Sequence, residues 1–415
     1  YVFALASGQD SIFEYTLLLA CLTFALLLNN DFELISPAVL FTAYFLYSIA
    51  LGPIGLMNMG RFYSYGYTKI ILGGLLAFAI GNGICLIAKK RPVHEKEDKP
   101  KIRFSFSRIK TLYFLLAVSW SAALYYFIKN RSYLLGDVEN GRVAGGALLY
   151  TAQVSILLVC MLFDIYIETR KDLRPLISKF TMIFVTVVSS ATLIVSGFRA
   201  PVGTLFICMI VMYAGKKKMP MGRIVFYGLL CIIGVSVLGA IRTTMSGGVS
   251  STLTSFFTSL YVGNININYM YNTFPGKVDF QYGYTYLINF LMLLPGPDLD
   301  FTLWLKEQVG ITFSGGGLTP TIIGEFYINF GEAFIFIGLF ILGVFSVYLN
   351  RYFKRHKESF LAAFYVWQFA HCVSGGIANV SVTVLLYTIV YKCLIMLPYR
   401  STKSFNRRRL ADGQY

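Results

Sequence analysis

The sequence predicts an all-helical bundle that crosses a membrane many times, and three observations carry that prediction. Of its 415 residues, 56% are hydrophobic and only 13% charged, where soluble domains run near a quarter charged. Mean hydropathy is +0.63. The apolar residues fall in runs of roughly 17 to 22 with few charges, the length that crosses about 30 Å of hydrocarbon; Thr111 to Ile128 and Ile224 to Ile241 are examples. Finally, the basic residues behind the net charge of +16 gather between those runs. Because only helices and closed barrels satisfy their backbone groups in lipid, and no ten-residue apolar-out alternation is present, the runs read as helices.

The basic clusters set the order of the elements. They lie at Lys89, Lys90 and Arg91 through Lys110, at Arg170, Lys171 and Arg174, at Lys216 to Lys218, at Arg351 to Lys357 and at Arg400 to Arg409. Segments poor in Lys and Arg alternate with them, which is the positive-inside pattern and accounts for the charge without nucleic acid as a partner. Spans are expected at residues 12–28, 34–52, 68–88, 111–128, 146–167, 179–195, 200–214, 223–241, 333–350, 360–380 and 381–397. The loops then facing outward are Gly52 to Tyr67, Lys129 to Gly145, Ser196 to Pro201, Arg242 to Glu332 and a tight turn near Ala378 to Ser381. An odd count of about eleven places Tyr1 outside; Tyr1 to Ala6 read like the end of an earlier apolar stretch, and a leading helix there would restore an inside N-terminus. All seven cysteines lie inside apolar runs without metal-ligand spacing, as buried hydrophobes do.

The chain divides into a bundle at 1–241, a long outer segment at 242–332, and closing helices with a basic tail at 333–415. The middle segment is too long for a simple connection. Ser251 to Met270 and Leu299 to Val309 mix aromatic and polar residues, as helices lying in the interface do, with Trp304 and the tyrosines as belt residues. Tyr286 to Leu294, closed by Pro295-Gly296-Pro297, is apolar but too short to cross and reads as re-entrant. After Ser314-Gly315-Gly316-Gly317, Thr319 and Pro320 are expected to cap and open a helix that runs into the next span.

Ionisable residues near the outer boundary are the candidates for chemistry, since charge there is costly without a partner or a task. Arg199 lies in the short turn Val195 to Pro201, Arg242 ends the next outward helix, and Arg142 precedes an inward one. Their guanidinium forks suit a diphosphate; the alternative is interface snorkelling, or pairing with Asp137, Glu139 or Glu325. Glu325 is either a general base in apolar surroundings or a structural partner for an arginine. His371, in the outer half of its span, is either a base for an attacking hydroxyl or a donor between helices. His94 and His356 fall among solvated basic residues. No Walker motif, HExxH, nucleophile elbow or dinucleotide fingerprint occurs, so chemistry here would be driven by an activated substrate rather than by nucleotides.

Two stretches carry a resemblance. Ser196-Gly197-Phe198-Arg199-Ala200-Pro201, and Gly315-Gly316-Gly317-Leu318-Thr319-Pro320-Thr321-Ile322-Ile323-Gly324-Glu325-Phe326-Tyr327-Ile328-Asn329-Phe330-Gly331, resemble the bacterial oligosaccharide repeat-unit polymerases, the Wzy-type enzymes of O-antigen, capsule and exopolysaccharide. The resemblance implies a GT-C-like glycosyltransferase in the cytoplasmic membrane, with its active site facing the periplasm or cell exterior and with no metal or cofactor. Its implied partners are undecaprenyl-diphosphate-linked oligosaccharides as donor and acceptor, membrane lipids and a chain-length regulator. It also implies roles. Arg199 and Arg242, helped by Arg142, would hold the diphosphate, and Glu325 or His371 would deprotonate the acceptor. Thr319, Tyr327 and Asn329 would line the substrate, with Tyr282, Tyr284 and Tyr286 stacking on sugars. Two rival classes are an O-antigen ligase and a flippase for the lipid-linked sugar; the Gly-rich motif before Glu325 favours the polymerase over the ligase.

Overall fold

The computed structural model describes residues 11–58, 65–88, 106–129, 146–169, 176–195, 199–216, 219–245, 252–291, 300–312, 317–356 and 360–396. Among them the ordered elements are all helical: α1 (Ser11–Asn29), α2 (Pro37–Phe45), α3 (Gly52–Asn58), α4 (Tyr65–Ala88), α5 (Phe106–Lys129), α6 (Gly146–Thr169), α7 (Lys179–Val195), α8 (Arg199–Lys216), α9 (Met221–Met245), α10 (Thr252–Thr273), α11 (Tyr284–Leu291), α12 (Phe301–Val309), α13 (Thr321–Phe330), α14 (Glu332–His356) and α15 (Phe360–Met396). A π-helical turn, Leu46–Ala50, continues α2. Among the described residues, six segments are long and apolar enough to cross a membrane: Pro37–Ile54, Thr68–Ile87, Ile109–Lys129, Tyr150–Thr169, Glu332–His356 and Phe360–Leu394. Four shorter apolar helices accompany them, Phe13–Asn29, Lys179–Ile194, Ala200–Lys216 and Met221–Cys231. The protein is a polytopic helical bundle.

The central pair is α4 and α14. Hydrocarbon tails are as apolar as leucine, so helices in lipid associate through close packing and a few polar contacts. Here a Cβ on Gly81 would lie 2.2 Å from the Phe340 carbonyl oxygen, and one on Gly343 would lie 2.1 Å from that of Phe78. Backbone therefore meets backbone. Asn82 donates to Ser346 Oγ at 2.9 Å and accepts from Asn30 at 3.2 Å, which ties α1 to the same seam. Contacts advance together along both helices, from Gly74 against Ile335 to Asn82 against Ser346. The pair is therefore parallel, and the C-terminal ends of both helices lie at one end of the bundle.

Other pairs obey the same polarity. Lys216, at the end of α8, bridges Asp164 at 2.5 Å and Glu168 at 3.1 Å near the end of α6. Lys354 near the end of α14 bridges Glu33 in the connection after α1 at 2.8 Å. Both ion pairs sit where the positive-inside pattern puts the basic face.

The last helical segment is a hairpin. The rings of Phe364 and Tyr387 are 4.7 Å apart and those of Phe360 and Tyr391 6.2 Å, while Tyr365 Oη lies 2.8 Å from Thr388 Oγ1. In an unbroken helix, residues 365 and 388 would stand about 34 Å apart at 1.5 Å per residue. The reversal occurs at Gly376, with φ 74 and ψ 171, a backbone conformation that a Cβ disfavours. The expected turn near Ala378 to Ser381 is thus present but lies earlier, and residues 378–381 belong to the returning helix.

The segment between α9 and α14 folds onto the bundle. α10 reaches the end of α2, where Asn264 donates to the Ile49 carbonyl at 2.7 Å. Of the stretch read as re-entrant, Tyr286 to Leu291 belong to the short helix Tyr284–Leu291, and Met292 to Leu294 lie outside the described residues. The helix expected to run from Thr319 into the next span is instead two helices, because Gly331 (φ 79) ends α13 before Glu332 opens α14.

Candidate functional site

The site forms where α13 meets the tip of the α15 hairpin. Residues 321–329 are buried along the whole of α13, so this ten-residue helix is enclosed on every face. Its start differs from expectation. Thr319 is exposed, and its hydroxyl and carbonyl accept from Asn266 at 2.9 and 3.0 Å. The hydroxyl that caps α13 belongs to Thr321, which accepts from the Gly324 amide at 3.2 Å. Thr321 pays for this with φ +57, a strained conformation for a β-branched residue that persists only where surrounding packing enforces it.

Glu325 is fully buried. Its Oε1 accepts from the Ala378 amide at 2.9 Å and its Oε2 from the Ile377 amide, so the carboxylate closes the N-terminus of the returning helix just past Gly376. Such amides have no partner within their own helix, and the helix dipole favours an anion beside them. The fit is close: a Cβ on Gly376 would lie 2.6 Å from Oε2. Burial pushes the carboxyl up from 4.5 to about 7, the two amides pulling the other way. Burial also raises the phenol of Tyr286, with Glu325 nearby adding to the effect.

His371 stands one turn before the Gly375-Gly376 pair, half-buried, its ring 6.0 Å from Tyr44 and 5.9 Å from Trp367. Its ring nitrogens hydrogen-bond to no described residue, unlike the carboxylate of Glu325. Ser374 donates to Tyr44 Oη at 3.1 Å. Across the tip, Asn379 donates to the Gly375 carbonyl at 2.7 Å and accepts from Asn289 of α11, whose own Oδ1 accepts from the Phe301 amide at 3.0 Å. This amide chain binds α11, α12 and the hairpin into one unit. Sequence reading missed it, although a Gly-Gly pair inside an apolar run, four residues after a histidine and three before an asparagine, was the available signal.

Two residues read as substrate contacts are turned inward. Tyr327 stacks on Tyr271 at 3.7 Å and donates to the Phe274 carbonyl at 2.8 Å. Asn329 is fully buried; it donates to Thr285 Oγ1 and the Glu325 carbonyl, both at 2.7 Å, and accepts from the Gly283 amide at 2.9 Å. Their polar atoms hold α13 against α10 and α11. Tyr282 and Tyr284, read as stacking residues, are 75% and 43% exposed, and Trp304 lies edge-on to Tyr284 at 6.3 Å.

Of the arginines, Arg199 is the first residue of α8 and Arg242 lies in the last turn of α9. A short connection joins these two neighbouring helices, which places both arginines at one end of the pair. Arg142 lies outside the described residues. Trp367 donates to Thr204 at 2.9 Å, tying the first turns of α8 to the hairpin arm that carries His371.

No family model matches this chain, and no solved structure does. An uncharacterized protein of the archaeon Methanocaldococcus jannaschii is 23% identical over 233 residues, 55% of this chain, which covers 62% of that relative's length.

Proposed function

We propose that the chain is a glycosyltransferase that polymerises oligosaccharide repeat units carried on undecaprenyl diphosphate, on the outer face of a bacterial cytoplasmic membrane. The observation that carries the reading is the construction at the hairpin tip. The long segment before α14 folds back so that exposed Tyr282 and Tyr284 belong to the same packed unit as His371. Aromatic faces suit pyranose rings, an imidazole whose nitrogens bond to no described residue suits proton removal, and Arg199 heads a helix bonded to the same arm.

In this reading the acceptor hydroxyl oxygen attacks the anomeric carbon of the donor glycan. The new glycosidic bond forms as the bond to the diphosphate oxygen breaks, and undecaprenyl diphosphate leaves with the electron pair. The hydroxyl proton passes to an imidazole nitrogen of His371. Arg199 and Arg242 offset the charge gathered on the departing diphosphate, which speeds the step because that charge is greatest in the transition state. Glu325, the other candidate base, has both oxygens engaged by backbone amides, which favours His371.

The test is incubation of the purified protein with lipid-linked repeat units. A ladder of chain lengths is expected. A single capped species would indicate a ligase, and relocation of unextended substrate across the membrane a flippase; either overturns the proposal. In the same assay Arg199→Lys should lose most activity and Arg199→Ala essentially all, since Lys keeps the charge without the two-pronged grip. A full ladder from Arg199→Ala would place the diphosphate elsewhere.

A further inference from the structure

We infer that Glu325 is a positioning residue: its carboxylate caps the returning arm of the α15 hairpin and so fixes the turn that presents His371 and Asn379, and it takes no proton from substrate. The inference about a catalytic site rests on the polymerase reading; the cap itself does not.

Four observations converge on it. Both carboxylate oxygens are matched one to one with the first two amides of the returning arm, Ile377 and Ala378. Glu325 is fully buried, so the packing around it leaves no open face from which an acceptor hydroxyl could approach. The turn leaves room for this side chain and for little else, since any Cβ at Gly376 would meet Oε2 at 2.6 Å and Pro320 Cγ at 3.0 Å. And the carboxylate is held from behind: the Glu325 carbonyl accepts from Asn329, while strained Thr321 caps the start of α13. A general base needs a free lone pair within reach of the proton it removes. A cap needs a pair of acceptors aimed at orphan amides, which is the geometry present.

The two roles separate on the isosteric variant. Glu325→Gln cannot act as a base but keeps one acceptor oxygen, whereas Glu325→Ala keeps neither. Removal of a cap typically costs about a tenfold factor in a local equilibrium. Two measurements decide. Hydrogen–deuterium exchange over residues 375–381 needs no substrate; the Ile377 and Ala378 amides should exchange about tenfold or more faster in Glu325→Ala, with Glu325→Gln between it and the parent. In ladder formation, Glu325→Gln should retain about a tenth of parental turnover, and Glu325→Ala about a hundredth or less. Equal, near-total loss in both variants with parental exchange at the tip would make Glu325 the base and overturn the inference. Parental exchange in Glu325→Ala would overturn the cap outright. Should Glu325→Ala fail to fold, the Glu325→Gln exchange rate still decides, because parental protection there also contradicts a two-amide cap. Should the parent form no ladder, the polymerase reading fails while the exchange result still judges the cap.

Discussion

At the scale of single residues, Glu325 shows how a buried charge is tolerated. The carboxyl gains two charge-assisted hydrogen bonds yet loses its water, and the loss outweighs the gain, which is why its pKa rises to about 7. The group therefore binds its proton more tightly in the folded protein than in the unfolded chain. Its contribution to stability is fully present below about 4.5 and is lost as pH rises through about 7. The titratable groups that face it are Tyr286 from α11 and Cys372 from α15. The purified protein should be less stable at pH 8 than at pH 5, by on the order of 3 kcal/mol from this group, and so melt at a lower temperature, and Glu325→Gln should flatten the difference. An unchanged pH slope in the variant would show that other groups set it. The sequence disclosed Glu325 as singular, a carboxylate between Gly324 and Phe326. It did not disclose that Tyr327 and Asn329 point inward, because α13 is enclosed on all sides and has no polar face to set an orientation.

At the scale of elements, the seam between α4 and α14 depends on glycine for reach. A methyl group on Gly343 would meet the backbone oxygen of Phe78, which no rotamer change can move aside. Gly343→Ala should therefore separate the helices and destabilise the protein by about 2 kcal/mol or more. Gly228, on the exposed run of α9, has nothing within 4 Å of its would-be Cβ; Gly228→Ala should be neutral or raise stability by up to about 1 kcal/mol, as alanine does in a helix. Thermal unfolding in one detergent compares the two, and equal shifts would remove close packing as the cause. Hydropathy located these helices well, since run length is a one-dimensional property. It misplaced the hairpin turn by a few residues because Ala378 to Ser381 look as turn-like as Gly375-Gly376 until the positive φ at Gly376 is seen. It also joined α13 to α14, because the break rests on Gly331 alone.

At the scale of the whole molecule, charge and packing point the same way by independent routes. The alternation of basic clusters assigns α4 and α14 the same direction, likewise α6 and α8, and likewise α2 and the first arm of α15. The seam glycines, the Lys216 ion pairs and the rings of Phe41 with Phe369 and of Tyr44 with His371 place these helices side by side in those directions. One end of the bundle therefore carries Lys216 and Lys354, and the other the hairpin tip with the folded segment bearing Asp279. By the positive-inside rule the first end is expected to face the cytoplasm. A cysteine placed at exposed Asp279 should react with a membrane-impermeant maleimide in intact cells, and one placed at Lys354 only after permeabilisation. The reverse pattern would turn the tip, with Tyr282, Tyr284 and His371, toward the cytoplasm. No lipid-linked glycan awaiting polymerisation outside could then reach it, and the proposed reaction would fall with the topology.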